Sequence, residues 1–495
     1  MLLLTSCVVG PDYKRPAAPL SKTYKEAKGK KMVGSRLSKD WKIAEPRDQI
    51  KRGEWWRVFH DAKLNELEIR LNRCNQNIKN AVANYFQALA LVDEARASYF
   101  PLFGVTASAT RQRTVSGSTS FTSASSTGSI ASGTATAGIS TSKTVRHVST
   151  NHSLLFNSSW DIDIWGAIRR QVEANASGAQ ASAALIAATK LSAEASLATI
   201  YFELRGIDTD QVLLNKTVID YKKALKLTKN QYASGVASRA DVIQARSQLE
   251  SAQALAINNG IARAQYEHAI AVLIGVPPAN FTLPHKRYTS TIVPLIPLSL
   301  PSALLERRPD VAEAERLMQQ ANAEIGVAIS AYFPSLTLLA TSSVTGTGLS
   351  HWFSLPTMAW SYGAQLSQII YDGGLRNAEV RAAKAGYYAT VASYRQIVLT
   401  AFQQVEDNLA SLRILSNEAR VQDAAAASAV EALRLVLNEY KAGTVAYSSV
   451  ITAQIAAYTA QKTAADIRYQ QMTAAVGLIA ALGGGWNASC IRCAG

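Results

Sequence analysis

The 495-residue sequence predicts a mainly helical chain that also contributes strands to a transmembrane β-barrel. Three observations predict it. Two proline-free spans, Gly166 to Tyr232 and Leu375 to Tyr440, are each long enough for one helix of roughly 100 Å. Stretches of period two precede each span, apolar on one face and rich in Ser, Thr, Asn, Asp and Gln on the other. Finally, the second half of the chain replays the first, which is the signature of an internal duplication.

The first long span is alanine-rich in its middle (Ala174, Ala176, Ala179, Ala181, Ala183, Ala184), and alanine is the strongest helix former. A rod of this length exceeds what a globular core requires. It ends at Ala233-Ser234-Gly235-Val236-Ala237, a reversal whose glycine suits the exit from a helix, and Arg239 to Leu273 returns as a second helix. Upstream, a helix begins near Lys63, with a possible break at Asn75 to Asn77. It resumes from Ile78 to Ser98 and stops at Tyr99-Phe100-Pro101, where proline removes the ladder donor. Stacked end to end, the shorter helices match the rods, which gives four rods per chain.

Val105, Ala107 and Ala109 alternate with Thr106, Ser108 and Thr110; Phe156, Trp160, Ile162 and Ile164 alternate with Asn157, Ser159, Asp161 and Asp163. These are strands of roughly 10 residues. Between them Val115 to Thr150 is a Ser/Thr/Gly/Ala low-complexity loop, expected to be mobile because it lacks large apolar groups. Half of the fourteen prolines fall between Pro277 and Pro309, an irregular crossing between the halves. The repeat then begins again. Ala331-Tyr332-Phe333-Pro334 echoes Ser98-Tyr99-Phe100-Pro101, Gly373-Gly374-Leu375-Arg376 echoes Gly166-Ala167-Ile168-Arg169, and Tyr440-Lys441-Ala442-Gly443 echoes Tyr232-Ala233-Ser234-Gly235. The offset falls from 233 residues at the proline to 207 at the long helix, so the second strand-to-strand loop is the shorter one.

Composition excludes several functions. No run approaches the length of apolar residues that a membrane-spanning helix needs. The formal charge is +15, and about half of the excess lies between Pro11 and Arg73, with seventeen Lys and Arg against nine Asp and Glu. A solvated basic arm is the simplest reading, phospholipid headgroups are nearer anionic neighbours than DNA, and no nucleic-acid partner is expected. The six histidines (His60, His147, His152, His268, His285, His351) are scattered, with no HExxH, phosphate loop or serine elbow, so no enzyme, metal site or cofactor is expected. Five dispersed methionines (Met1, Met32, Met318, Met358, Met472) give no support to copper or silver export. Cys490 and Cys493 form a lone CxxC, weak evidence for metal or redox chemistry.

Cys7 stands apart. Leu4-Thr5-Ser6-Cys7 has the small residues and cysteine that end a bacterial lipoprotein signal, although six preceding residues without a basic region are too few for a working one. The expectation is that the true start lies upstream or has been trimmed. Four strands cannot close a barrel, and open edges are unfavourable in lipid, so closure needs several copies of the chain. The polar strand face then lines a wet interior. Trp160, Trp165, Trp360 and Tyr362 are candidates for membrane-interface belts.

Cys7 with Gly10-Pro11-Asp12-Tyr13 and Arg15-Pro16, Trp55-Trp56 with Phe59 and Asp61, the two Tyr-Phe-Pro hinges at Pro101 and Pro334, and the reversals Tyr232 to Val242 and Tyr440 to Val450 carry a resemblance over nearly the whole chain. It resembles the outer-membrane efflux channels of the TolC type, within the lipoprotein branch typified by OprM. That resemblance implies a homotrimer with a long α-helical barrel and a 12-stranded β-barrel. It further implies a covalent lipid on Cys7 and a place in the outer membrane of a Gram-negative-type bacterium, reaching into the periplasm. The partners implied are a periplasmic adaptor and an inner-membrane pump of the RND type, the cargo being small molecules such as drugs. A type I protein-secretion duct is the runner-up, and a trimeric coiled-coil surface protein the non-channel alternative.

Carried over by position, Gly235, Val236, Ala237, Gly443, Thr444 and Val445 face the adaptor, and Asp241, Tyr440, Ser449 and Thr452 form the periplasmic gate. Asp241 beside Tyr440 is read either as one bond of the closed mouth or as a helix-N-terminal acid stabilised by the dipole. Ser449 and Thr452 stand where TolC has acidic residues, and Val445 replaces a basic one. The mouth is therefore expected to close by packing and neutral hydrogen bonds. The segments are a signal remnant and lipidated cysteine (1–7), an extended basic arm and equatorial entry (8–62), a first repeat (63–275), a Pro-rich equatorial linker (276–309), a second repeat (310–484) and a tail (485–495).

Overall fold

The computed structural model describes residues 8–18, 24–26, 53–117, 144–286, 308–346 and 358–484. Two α-helices open the first half, α1 (Ala62–Cys74) and α2 (Gln76–Ala97). Asp61 caps α1, its carboxylate accepting the Lys63 and Leu64 amides. Asn75 makes the break between the two: its amide group donates to the Leu273 carbonyl at 2.8 Å and its side-chain oxygen accepts the Ile78 amide at 3.1 Å. Strands β1 (Leu102–Gly117) and β2 (Thr144–Ile162) follow, then α3 (Ala167–Ala233) and α4 (Arg239–Leu273). The second half has α5 (Pro309–Ser330), β3 (Ser335–Gly346), β4 (Met358–Ser367), α6 (Leu375–Lys441) and α7 (Tyr447–Ala481).

The duplication is visible in the helix lengths. Both α2 and α5 have 22 residues, α3 and α6 have 67, and α4 and α7 have 35. The strands differ, with 16 and 19 residues in β1 and β2 against 12 and 10 in β3 and β4. Strands β1 and β2 outrun the expected length and take in both ends of the low-complexity stretch. These outer ends pair only with each other, down to Gly117 opposite Thr144, so ladder hydrogen bonds and not large apolar side chains hold them extended. The middle of that stretch lies outside the described residues.

The chain divides into two compact units. One comprises Met1–Gly10, Asp93–Val172 and Gly326–Val380 and contains a single antiparallel sheet in the order β1-β2-β3-β4. Its register puts Val105, Phe156, Ser342 and Trp360 in one row and Phe103, Ser158, Ala340 and Tyr362 in the next of the same parity. That face is mostly apolar and exposed, with Val105, Trp360 and Tyr362 at 63%, 69% and 79%. The opposite face carries Gly104, Asn157, Thr341 and Ser361 in one row. Here the side chains bond to one another: Ser108 to Ser153 at 2.7 Å, Thr337 to Asp161 at 2.6 Å and Thr341 to Ser361 at 2.7 Å.

The other unit comprises Pro11–Val92, Glu173–Ile325 and Arg381–Gly495. Its main core gathers Leu64, Leu67 and Leu71 of α1, Leu197, Tyr201, Phe202 and Leu204 of α3, and Met472 and Val476 of α7 around Trp56 and Phe59 of the 3-10 turn Trp55–Phe59. Each of these large side chains stabilises the unit by roughly 1.5–3 kcal/mol on burial. A second cluster joins Val311 and Met318 of α5 to Val391, Tyr394 and Val398 of α6. Over it the N-terminal segment is strapped by Arg15, which bonds the Tyr394 hydroxyl and pairs with Glu315 at 3.3 Å.

Candidate functional site

Three places carry the sequence-predicted residues: the helix–strand junctions and sheet of the first unit, and the helix reversals of the second. At the junctions Pro101 and Pro334 follow short turns of matching geometry, with Tyr99 and Phe100 donating to Arg96 and Ala97, and Tyr332 and Phe333 to Ile329 and Ser330. The exposed hinge carbonyls are then capped by side chains. Trp160 donates its indole N–H to the Tyr99 carbonyl at 3.0 Å, and Trp165 donates to the Pro334 carbonyl at 2.8 Å while stacking on Phe333 at 4.8 Å. Trp165 therefore lies past the end of β2 and serves as a half-buried lock between the two halves of this unit. Trp160, Trp360 and Tyr362 share the apolar sheet face, the last two stacked at 5.6 Å, but Trp160 sits four register rows from Trp360.

A carboxylate and an arginine organise the start of each long helix. Asp163 accepts the Ile168 and Arg169 amides and pairs with the Arg169 guanidinium at 3.0 Å. Asp372 accepts the Gly374 and Arg376 amides and pairs with Arg376 at 2.5 Å. These bonds to Arg376 and to the two amides hold the Asp372 carboxyl down at about 2. The first junction has an additional cover. Val9 donates its amide to the Trp165 carbonyl at 3.0 Å, and Arg170 donates to the Val9 and Gly10 carbonyls at 3.3 Å. A Cβ at Gly10 would lie 2.5 Å from the Gly326 backbone, so only glycine fits this crossing. Cys7 lies outside the described residues, but Val8, next to it in sequence, is packed against Gly166 just before α3.

The two reversals repeat one backbone motif. Val236 and Gly235 donate to Gln231 and Tyr232, and Thr444 and Gly443 donate to Glu439 and Tyr440, closing the last turn of α3 and of α6 in the same way. Gly235 and Gly443 take φ of 75° and 77°, the left-handed conformation that the motif requires. Val236, Gly443 and Thr444 are exposed, Ala237 and Val445 half-buried. Ser449 and Thr452 are exposed on the first turns of α7, with the Thr452 hydroxyl bonded to the Ser448 carbonyl at 3.1 Å.

The pairing of Asp241 with Tyr440 as a gate bond is not what the chain adopts. Asp241 completes a capping box, accepting the Ser238 amide at 3.0 Å and hydroxyl at 2.9 Å while donating its own amide to Ser238. Tyr440 is buried at 6% and gives its hydroxyl to Thr228 at 3.2 Å. Burial pushes this phenol up, the Thr228 bond opposes the shift and the nearby Asp241 charge adds to it. Local satisfaction within α4 and the α3–α6 interface wins over the longer contact.

Sequence reasoning missed a buried charge hub. Asp208, 2% exposed, accepts from Arg205 at 2.8 Å, Arg263 at 2.9 Å and His285 at 3.1 Å, while Arg263 also bonds Glu267 and the Leu283 carbonyl. These bonds fasten the chain after α4 to α3. The spacing Arg205–Asp208 and Arg263–Glu267 was a visible signal for each helix, but not for their convergence.

Comparison with known proteins gives a consistent family. The model of the outer membrane efflux protein family matches residues 70–276 and 300–484. The chain is similar to the probable efflux pump outer membrane protein TtgC of Pseudomonas putida, 28% identical over 98% of this chain and 94% of the relative. It is also similar to the cation efflux system protein CusC of Escherichia coli, 26% identical over 98% of this chain and 97% of the relative. Among solved structures it is similar to the outer-membrane channel OprN, with a TM-score of 0.80 and 26% identity over 97% of this chain and 100% of that one.

Proposed function

Because this chain belongs to the outer membrane efflux protein family, we propose that three copies assemble into the passive exit duct of a tripartite pump for small molecules such as drugs. The chain is an outer-membrane channel protein of efflux pumps and not an enzyme. One observation carries the assembly: the sheet ends in β1 on one side and β4 on the other, with no further strand on either edge among the described residues. Such a sheet, apolar on one face and hydrogen-bonded on the other, needs its edges closed by further copies before lipid can surround it. Three copies supply twelve strands.

The lipid anchor on Cys7 belongs to the same reading, supported by the packing of Val8 on Gly166 at the start of α3. The exposed reversal residues Val236, Gly443 and Thr444 are the surface offered to a periplasmic adaptor, and an RND-type pump supplies the cargo. The gate has no acidic ring, since Ser449 and Thr452 occupy its exposed positions. Planar-bilayer recording of the purified protein tests this reading: discrete pores insensitive to divalent cations on the periplasmic side are expected. A protein that never opens a pore is not a channel, and strong divalent block would restore an acidic gate.

A further inference from the structure

The outer half of the β1–β2 hairpin carries charge of one sign. Between Glu94 and Asp161 the sequence has no acidic residue, whereas Arg111 and Arg113 stand in β1 and Arg146 in β2. Strands β3 and β4 contain no Asp, Glu, Lys or Arg at all. Alternation places Arg111 and Arg113 on the same face as Phe103, Val105, Ala107 and Ala109. That face is apolar up to Ala109, with Phe103 at 77% exposure, and turns basic at its next position. Both arginines are exposed, and neither has a hydrogen bond or ion pair among the described residues. Their cross-strand partners, Thr150 and Val148, offer no carboxylate.

Height along the strand decides what these arginines meet. Leu102 follows the Pro101 hinge, and from Leu102 to Arg111 the strand rises about 30 Å. At the usual barrel tilt of roughly 35–45° this is about 21–24 Å along the membrane normal, which matches the height of about 25 Å for a barrel's apolar band. Arg111 and Arg113 therefore clear the hydrocarbon, where an outward-facing arginine is most costly, and stand at headgroup depth at the end of the sheet remote from the hinge. Two positions apart on one strand, they lie about 7 Å from each other, close enough to serve one phosphorylated headgroup. The planar guanidinium fork matches phosphate oxygens, and the apolar face below them offers acyl chains a contact that free phosphate cannot use. On the lipid-facing barrel proposed above, on which this depends, we propose that Arg111 and Arg113 bind the phosphate groups of lipid in the leaflet farthest from the helices.

The full chain in detergent is titrated with lipid A carrying both phosphates, with the same lipid dephosphorylated, and with inorganic phosphate as competitor, bound lipid being counted by native mass spectrometry. The phosphorylated form is expected to bind at least about tenfold more tightly, and Arg111→Gln/Arg113→Gln should erase that preference. Equal binding of the two forms by the wild type, or a preference that survives in the variant, would overturn the site. Displacement by inorganic phosphate would overturn lipid as its ligand. If the double variant does not assemble, Arg113→Gln alone decides by the same comparison: a weakened preference supports the site, and an unchanged one removes it. Planar-bilayer recording separates this from the duct itself. Pores together with unselective lipid binding remove only the arginine site, whereas a wild type without pores removes the duct and the lipid-facing barrel with it.

Discussion

The two helix reversals share a backbone and differ in what holds it. At the first, Ser238 and Asp241 form a complete capping box at the start of α4. At the second, the equivalent N-cap is Ala446, which makes no side-chain bond, and the following Tyr447 is buried at 1%. Tyr447 packs with Tyr440, Val450, Ile451, Ala224 and Ala245, the rings of Tyr440 and Tyr447 lying 5.3 Å apart. One turn is thus secured locally by hydrogen bonds, the other by burial against its neighbours. Duplication preserved the glycine geometry because only glycine enters the left-handed turn without strain, and left the means of fastening free to diverge.

That contrast is broken most severely by Tyr447→Ala. Removing this buried ring should cost about 3–5 kcal/mol of local stability, read as faster hydrogen exchange in the first turns of α7 with α4 less affected. Gly235→Ala and Gly443→Ala come next. Each should cost about 1–2 kcal/mol, and near-equal values would show that the two backbones remain equivalent, since both added methyl groups meet open space. Ser238→Ala should cost about 1 kcal/mol, confined to α4 exchange. Ala446→Ser, installing the missing cap, should gain roughly 0.5–1 kcal/mol in α7; no gain would mean that packing already fixes the turn.

A parallel contrast separates the two strand-to-helix junctions. The first lies under Val8–Gly10, whereas around the second Ile370 and Tyr371 are 88% and 87% exposed. The second junction depends on the Asp372–Arg376 pair. The folded-state pKa of Asp372 is depressed, so its contribution is present above the ordinary carboxylate range and fades as pH falls towards about 2. The melting temperatures of Asp372→Asn and the wild type should differ near neutrality and converge in acid. A difference that persists unchanged to low pH would assign the effect to something other than this carboxylate.

Much of this fold was legible in the sequence. The absence of proline permits long helices there, and the glycine motifs at Gly166, Gly235, Gly374 and Gly443 place the ends of α3 and α6 to within a residue or two. Gly235 and Gly443 mark the reversals for an equally local reason. Alternation gave the two faces of the sheet, yet it underestimated β1 and β2, whose outer ends are mostly polar and are held by pairing with each other. Contacts between distant segments were the least legible. The hydroxyl of Tyr440 chooses Thr228 over Asp241, Trp165 reaches the Pro334 carbonyl in the other half of the duplication, and Asp208 collects partners from three parts of the chain. None of these choices follows from spacing.

Closure of the sheet edges by copies of the same chain is most directly tested by native mass spectrometry of the detergent-extracted protein. A single species with three times the protomer mass is expected. A monomer or dimer that persists across detergents would contradict it, because β1 and β4 would then have no partners and four strands would have to cross lipid with open edges.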